Sequence, residues 1–216
     1  MGIHESSTPL QDTSCNLNFH LPSASFFIHA TPLRINHLWQ LKIALDLKVE
    51  SGSTTPLLPL FYTPSNLCGP GGMKCQLIRS SPSFHGHPRH DTAFVVLDDF
   101  QPGMKGMEIG HVLLFFSFQY RQKHFSCALI NWFVHDDEHD PDTGMWVIQL
   151  ERDQKGIPTL QVIEIETITR GAHLLPVYGL SRVPDDFSHH NALDSFRSFF
   201  VNHFVDHHTH EFITSH

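Results

Sequence analysis

The residues in this chain most able to do chemistry are its histidines and its clustered acids. Histidine occurs 19 times in 216 residues. His203 and His207 stand four apart, which is one helical turn, and His208, His210 and Glu211 follow closely. A zinc-protease helix needs a glutamate directly after its first histidine as general base, and that position here is Phe204. The pattern reads as a histidine-rich amphipathic helix and not as a zinc centre. Cys68, Cys75, His85 and His87 have the atom types of a tetrahedral zinc site, but no close-set cysteine pair, and read as a loop with free thiols. In the run from His135 to Asp142, Asp136, Glu138 and Asp140 alternate as calcium ligands would. Pro141 stands where a calcium loop needs its turning glycine, and no bidentate glutamate follows, so a solvated hairpin loop is expected.

Other chemistries find no better footing. Two-metal nucleases and transposases bring three carboxylates together from separate elements. Here the acids crowd into one loop, and Asp98-Asp99 sits at a strand end, where aspartate is common. Cys127 lies inside an apolar run and reads as inert core. There is no Gly-x-Ser-x-Gly elbow, and Gly69-Pro70-Gly71-Gly72 lacks the Lys-Ser/Thr of a phosphate loop. No catalytic residue, metal ligand or cofactor is assigned, and the chain is read as a non-enzyme.

The elements that would position these residues are mostly strands. With 40% hydrophobic residues the chain can bury a real core. Residues 1–36 read as an irregular N-terminal segment holding Pro9, Pro22 and Pro32. Residues 37–90 form a Pro/Gly-rich connecting region, in which Pro56, Pro59, Pro64, Pro70, Pro82 and Pro88 exclude long regular elements. Its one short element, within Ile35 to Lys48, has apolar spacing that suits helix or strand. From residue 91 the pattern changes. Thr92–Leu97, Ile109–Phe118, Phe125–Val134, Met145–Leu150 and Thr159–Ile165 are short apolar, β-branched or aromatic runs separated by turn residues. They predict a small antiparallel curled sheet or barrel over 91–186, both faces of two strands covered, with a β-bulge where Val162 and Ile163 shift the alternation. Residues 187–216 predict a C-terminal amphipathic helix and tail. Its stripe is Ala192, Phe196, Phe199, Phe200 and Phe204, with Ser188 or Asn191 as cap, and it is expected to dock either on its own sheet, the favoured reading, or on a partner. The fold class is therefore mainly β with α.

The formal net charge is −8 with histidine neutral, which repels phosphate and disfavours direct nucleic-acid binding. The first eleven residues lack the apolar stretch of a secretory signal, and Val112–Phe116 is too short to cross a bilayer. Four scattered cysteines suit a reducing compartment, so an intracellular protein with no membrane partner is expected. Met1-Gly2-Ile3-His4-Glu5-Ser6 fits the loose myristoylation template, but without a basic patch one acyl chain anchors only marginally.

Several blocks occur in a telling order. They are His90–Val96, Gly106–Val112, Ala128-Leu129-Ile130-Asn131-Trp132-Phe133, Asp140-Pro141-Asp142-Thr143-Gly144-Met145-Trp146, Ile168 through Pro176 with Gly179, and Asn191-Ala192-Leu193-Asp194 followed by Phe199-Phe200-Val201-Asn202. In this order, over residues 90–212, the chain resembles the C-terminal region of Plavaka-type DNA transposases, fungal elements related to the CACTA group. The resemblance implies a nuclear location. It does not carry the family's activity over, because the three-carboxylate core lies upstream of this region in the family. By analogy of fold alone, a small curled sheet with a Trp-Phe strand also resembles SH3- and BAH-like barrels.

These readings converge on a non-catalytic interaction or structural domain whose partner is a protein: the rest of a transposase, a chromatin protein or another copy of itself. The alternative is a histidine-rich metal-binding protein or metal-dependent enzyme. Trp132, Phe133, Phe196 and Phe200 are the candidate binding residues. Trp132 is also expected to be mostly buried, since it shares a face with Ala128, Ile130 and Val134.

Overall fold

The computed structural model describes residues 15–21, 24–30, 48–53, 57, 59–63, 72–120, 122–179, 182–183, 185–188 and 190–214. In chain order its strands begin with β1 (Cys15–Leu21), β2 (Ala24–Ala30), β3 (Lys48–Ser53), β4 (Leu60–Tyr62) and β5 (Met73–Cys75). Next come β6 (Ser80–Phe84), β7 (His87–His90), β8 (Thr92–Val96), β9 (Met107–Tyr120) and β10 (Lys123–His139). The last are β11 (Trp146–Leu150), β12 (Leu160–Glu164), β13 (Ile168–Gly171), β14 (Leu174–Pro176) and β15 (Ser198–Val201). Two short helices, α1 (Ala192–Ser195) and α2 (His207–Thr214), complete it.

Strands β8 to β15 form an antiparallel curled half-barrel sheet. Its spine is the long β9–β10 hairpin, where Val, Leu and Phe side chains suit a pleated surface. One bulge bends this hairpin, between the Leu129–Leu114 and Ile130–Val112 pairs. Gly110 lies opposite Trp132, and a Cβ there would come within 3.1 Å of the Ile130 side chain, so glycine lets the two strands approach. The other edge of β10 forks, its lower half pairing with β12 and its upper half with β11. The path runs β13-β8-β9-β10-β11-β15-β14. Its two ends, β13 and β14, are consecutive in sequence, separated only by Ala172 and His173. Residues 168–176 therefore pair with β8 through their first half and with β15 through their second. This one segment supplies both edges and fixes the curl.

Alternation along β8 sorts two cores. Ala93 and Val95 face one, with Val112, Ala128, Ile130, Trp132, Ile163 and Ile78. Phe94 faces the other, with Met104, Met107, Ile109, Phe133, Ile148, Phe199 and Ile213. Both faces of the sheet are covered, as the continuous apolar runs predict.

Several expectations are corrected. Val162 and Ile163 are both buried and β12 keeps regular register with β10, so there is no bulge there; each residue serves a different face. Cys15–Leu21 and Ala24–Ala30 are not irregular but pair antiparallel as β1 and β2, with β1 lying parallel to β12. Among the described residues of the connecting region there are several short strands, none longer than five residues between Leu60 and His90, as its prolines require. The expected helical stripe is broken. Only Ala192–Ser195 is helical, Ser198–Val201 is a sheet strand, and the C-terminal helix begins at His207. Pairing of Phe199 and Phe200 to β11 and β14 outweighs local helical spacing. The element expected within Ile35 to Lys48, apart from Lys48 in β3, lies outside the described residues, as do the Met1–Ser6 pattern and Cys68.

Candidate functional site

Two features of the described residues could meet a ligand or partner. The first is a cavity of about 350 Å³ lined by Phe84, His85, His87, Pro88, Arg89, His90, Asp91, His111, His190, Leu193 and Asp194. The β6–β7 hairpin builds one wall. Its two-residue turn puts both His85 (φ 52°) and Gly86 (φ 90°) in the left-handed region, the geometry that matches strand twist. Phe84 is then gripped between cations, with the guanidinium carbons of Arg79 and Arg89 5.2 and 5.0 Å from its ring centre.

Charge in the cavity is largely spent internally. Asp91 accepts from Arg89 Nε at 2.8 Å and from the Arg79 amide at 2.8 Å. Burial pushes His111 down to about 4, helped by the neighbouring His90, against the opposing pull of Asp194 and Asp91. Burial likewise lowers His90, whose Nδ1 lies 3.0 Å from Ser80 Oγ. Both imidazoles are neutral at pH 7, edge to face with ring centres 6.0 Å apart. His87 and His190 stack at 4.1 Å. Asp194, exposed on α1, adds an anion at the rim. Among the described residues no group of three His, Cys, Asp or Glu side chains is placed to hold a metal ion.

The second feature is the turn between β8 and β9. The Leu97 and Asp98 amides both donate to the Gly106 carbonyl, at 2.9 and 3.1 Å. The Phe100 amide donates to Asp98 Oδ1 at 2.9 Å, and the Gln101 amide to the Asp98 carbonyl at 3.2 Å. A Cβ on Gly106 would fall 2.4 Å from the carbonyl oxygens of Asp98 and Gln101, so the turn closes only over glycine. Met104 anchors it in the core. At its tip Phe100 is 95% exposed and Leu97 57%. A phenyl ring thus stands in solvent at the tip of a hydrogen-bonded turn.

The structure scatters the residues singled out by sequence. Trp132 is buried, as expected from its face, and donates from Nε1 to Gln161 Oε1 at 2.6 Å. Phe133 is 1% exposed and meets Phe199 edge to face. Neither is a surface contact, which corrects their candidacy as binding residues. Phe196 is half-buried between Tyr178 and Phe187, and Phe200 is half-buried on β15. His203 and His207 do not share a helix face, because His203 is buried in the turn before α2. The acid-rich run is strand up to His139, with His135 and His139 packed on Trp146 at 4.8 and 4.1 Å. Asp140 caps the following turn, accepting from the Thr143 amide and hydroxyl at 2.9 and 2.6 Å. The Thr143 side-chain bond holds its carboxyl below the usual range. The side chains of Asp136, Asp137 and Glu138 lie outside the described set. Burial, with Glu164 and Glu166 nearby, pushes the Cys127 thiol up to about 12, which keeps it from being a nucleophile.

Sequence reasoning missed Phe100 and Arg170. Phe100 had one signal, an aromatic residue inside a run of turn formers, Asp98-Asp99 before it and Gln101-Pro102-Gly103 after. Arg170 is 2% exposed, and nothing in its local sequence marks a buried cation.

Among the described residues no helix is long and apolar enough to cross a membrane. Comparisons with family models, curated proteins and solved structures find no match to this chain.

Proposed function

We propose that this chain is a non-catalytic interaction domain, the counterpart of the C-terminal region of Plavaka-type transposases, and that it holds a protein partner through the Leu97–Phe100 turn. The observation that carries this reading is the solvent-facing Phe100 at the tip of a hydrogen-bonded turn. An aromatic side chain carried on an ordered turn costs little further backbone entropy on docking, which suits an interface anchor. The flanking Asp98 and Asp99, and a net charge of −8, favour a partner whose apolar pocket has a basic rim over nucleic acid or anionic lipid. The blocks that resemble the transposases support the structural half of the reading. Asp140–Met145 makes the β10–β11 turn, Ala128–Phe133 fills both cores, and 168–176 closes the sheet. A nuclear location follows from the same reading.

The test is binding of the purified chain to the catalytic portion of a Plavaka-type transposase and, separately, to nucleosomes. The expected result is saturable binding to one of them, weakened at least about tenfold by Phe100→Ala, the scale of an interface anchor. Binding to neither, or binding untouched by Phe100→Ala, overturns the proposal.

The second reading, a histidine-rich metal-binding protein, draws on the histidines that line the cavity, although among the described residues no three side chains are placed to hold an ion. Calorimetric titration with zinc decides it: stoichiometric binding lost in a His87→Ala/His190→Ala double variant supports this reading, and no saturable binding removes it.

A further inference from the structure

Helix α2 is held to the sheet by a cluster that involves three separate parts of the chain. Asp206 precedes the helix and accepts from the Thr209 amide at 2.7 Å and its hydroxyl at 2.8 Å, which caps the first turn. The same carboxylate takes Lys74 Nζ of β5 at 2.9 Å and Arg170 Nη2 of β13 at 2.9 Å. Against the cost of burial, the bonds from Arg170, Lys74 and Thr209 keep it far below the usual carboxylate range. Arg170 reaches further, and its Nη1 lies 2.7 Å from Nδ1 of His208, on the helix itself.

That last contact fixes a protonation state. Guanidinium offers only donors and does not lose its proton in a protein. His208 Nδ1 must therefore be the acceptor, with its lone pair bare. A proton placed there would set two cations against one another at hydrogen-bond distance. The imidazole has little room to turn away, since it stacks on Phe61 of β4 at 5.1 Å and on Phe212 at 5.8 Å. The charged groups facing it are Arg170 and Lys74 on the sheet side and Asp206 and Glu211 along the helix. Asp206 is already committed to Arg170, Lys74 and Thr209, and Glu211 lies 3.4 Å from His207. The cluster is also imperfect, because the buried Arg170 Nε has no acceptor among the described residues. A buried ion pair short of one bond is a marginal fastening.

We propose that α2 is a pH-operated strap: protonation of His208 replaces the near acceptor of Arg170 Nη1, whose other acceptor, Asp206 Oδ1, lies at 3.4 Å, with a second cation, and so releases the C-terminal helix from the sheet. Burial, then the two cations, already depress proton uptake by His208 in the docked state. Release uncovers Phe212, Ile213 and the surfaces of Phe94 and Met104 that they cover. Mild acid thus turns a closed face of the domain into an apolar surface, whatever the partner at Phe100.

The test is backbone hydrogen exchange on the full chain at pH 7.5 and 5.5, corrected for intrinsic rates. A released imidazole of ordinary pKa shifts the opening equilibrium by up to about tenfold at pH 5.5. Protection of α2 amides should fall by up to that factor, while β10 amides, which also report the acid sensitivity of His111, should respond to pH alike in the wild type and in a His208→Gln variant. His208→Gln supplies a non-titrating acceptor and should give equal α2 protection at both pH values. The proposal is overturned if wild-type α2 is equally protected at both pH values, or if α2 in His208→Gln keeps the wild-type pH response.

Discussion

The indole N–H of Trp132 donates to Oε1 of Gln161 at 2.6 Å, tying β10 to β12 across the fork of the sheet. The ring lies among Val112, Ala128, Ile130 and Ile163. Trp132→Ala removes that packing and leaves a cavity, at a cost of about 3–5 kcal/mol. A lower urea midpoint at unchanged slope is the expected signature, and an unshifted midpoint would place the ring outside the core.

Gly106→Ala tests the frame around Phe100. The backbone angle there suits alanine, so the objection is purely steric, from two carbonyl oxygens. Forcing the turn open should cost about 1–3 kcal/mol, as overpacking does. It should also alter Phe100 presentation without touching Phe100. Phe100→Ala itself should leave the unfolding midpoint within about 0.5 kcal/mol, since the ring packs on so little.

His111 makes stability depend on acid. Unfolded, it takes a proton near pH 6.5; folded, it stays neutral down to about 4. Between those values the unfolded chain binds the extra proton, so stability falls as pH drops. The contribution is fully present above pH 6.5 and lost progressively toward pH 4, about 3 kcal/mol in all. Urea midpoints measured across that window should fall in the wild type and fall less in His111→Gln.

Ile213 joins α2 to Phe94, Met104 and Met107. Ile213→Ala should cost about 2–5 kcal/mol. Removing residues 203–216 should expose that core, bind a hydrophobic dye and promote aggregation. A truncated chain that stays monomeric at full stability would mean that α2 is not part of the domain's core.

Local composition determined the five strands between Thr92 and Ile165, because their β-branched and aromatic runs are bounded by turn residues that any context would respect. It also determined that both sheet faces are covered, and that Cys127 and Trp132 lie inside. Tertiary structure decided the rest, because the decisive contacts are far apart in sequence. Phe199 and Phe200 have helical spacing, but pairing to β11 and β14 makes them strand. Residues 168–176 read as an ordinary extended segment, and only curvature lets one stretch serve as both edges. The bonds of Arg170 to His208 and Asp206 span 38 and 36 residues, and its ring contact with Phe61 reaches back to β4. No local pattern encodes a buried cation whose partners arrive from a distant helix. Phe100 falls between the two cases. Its sequence places it in a turn, but only the folded turn shows the ring standing in solvent.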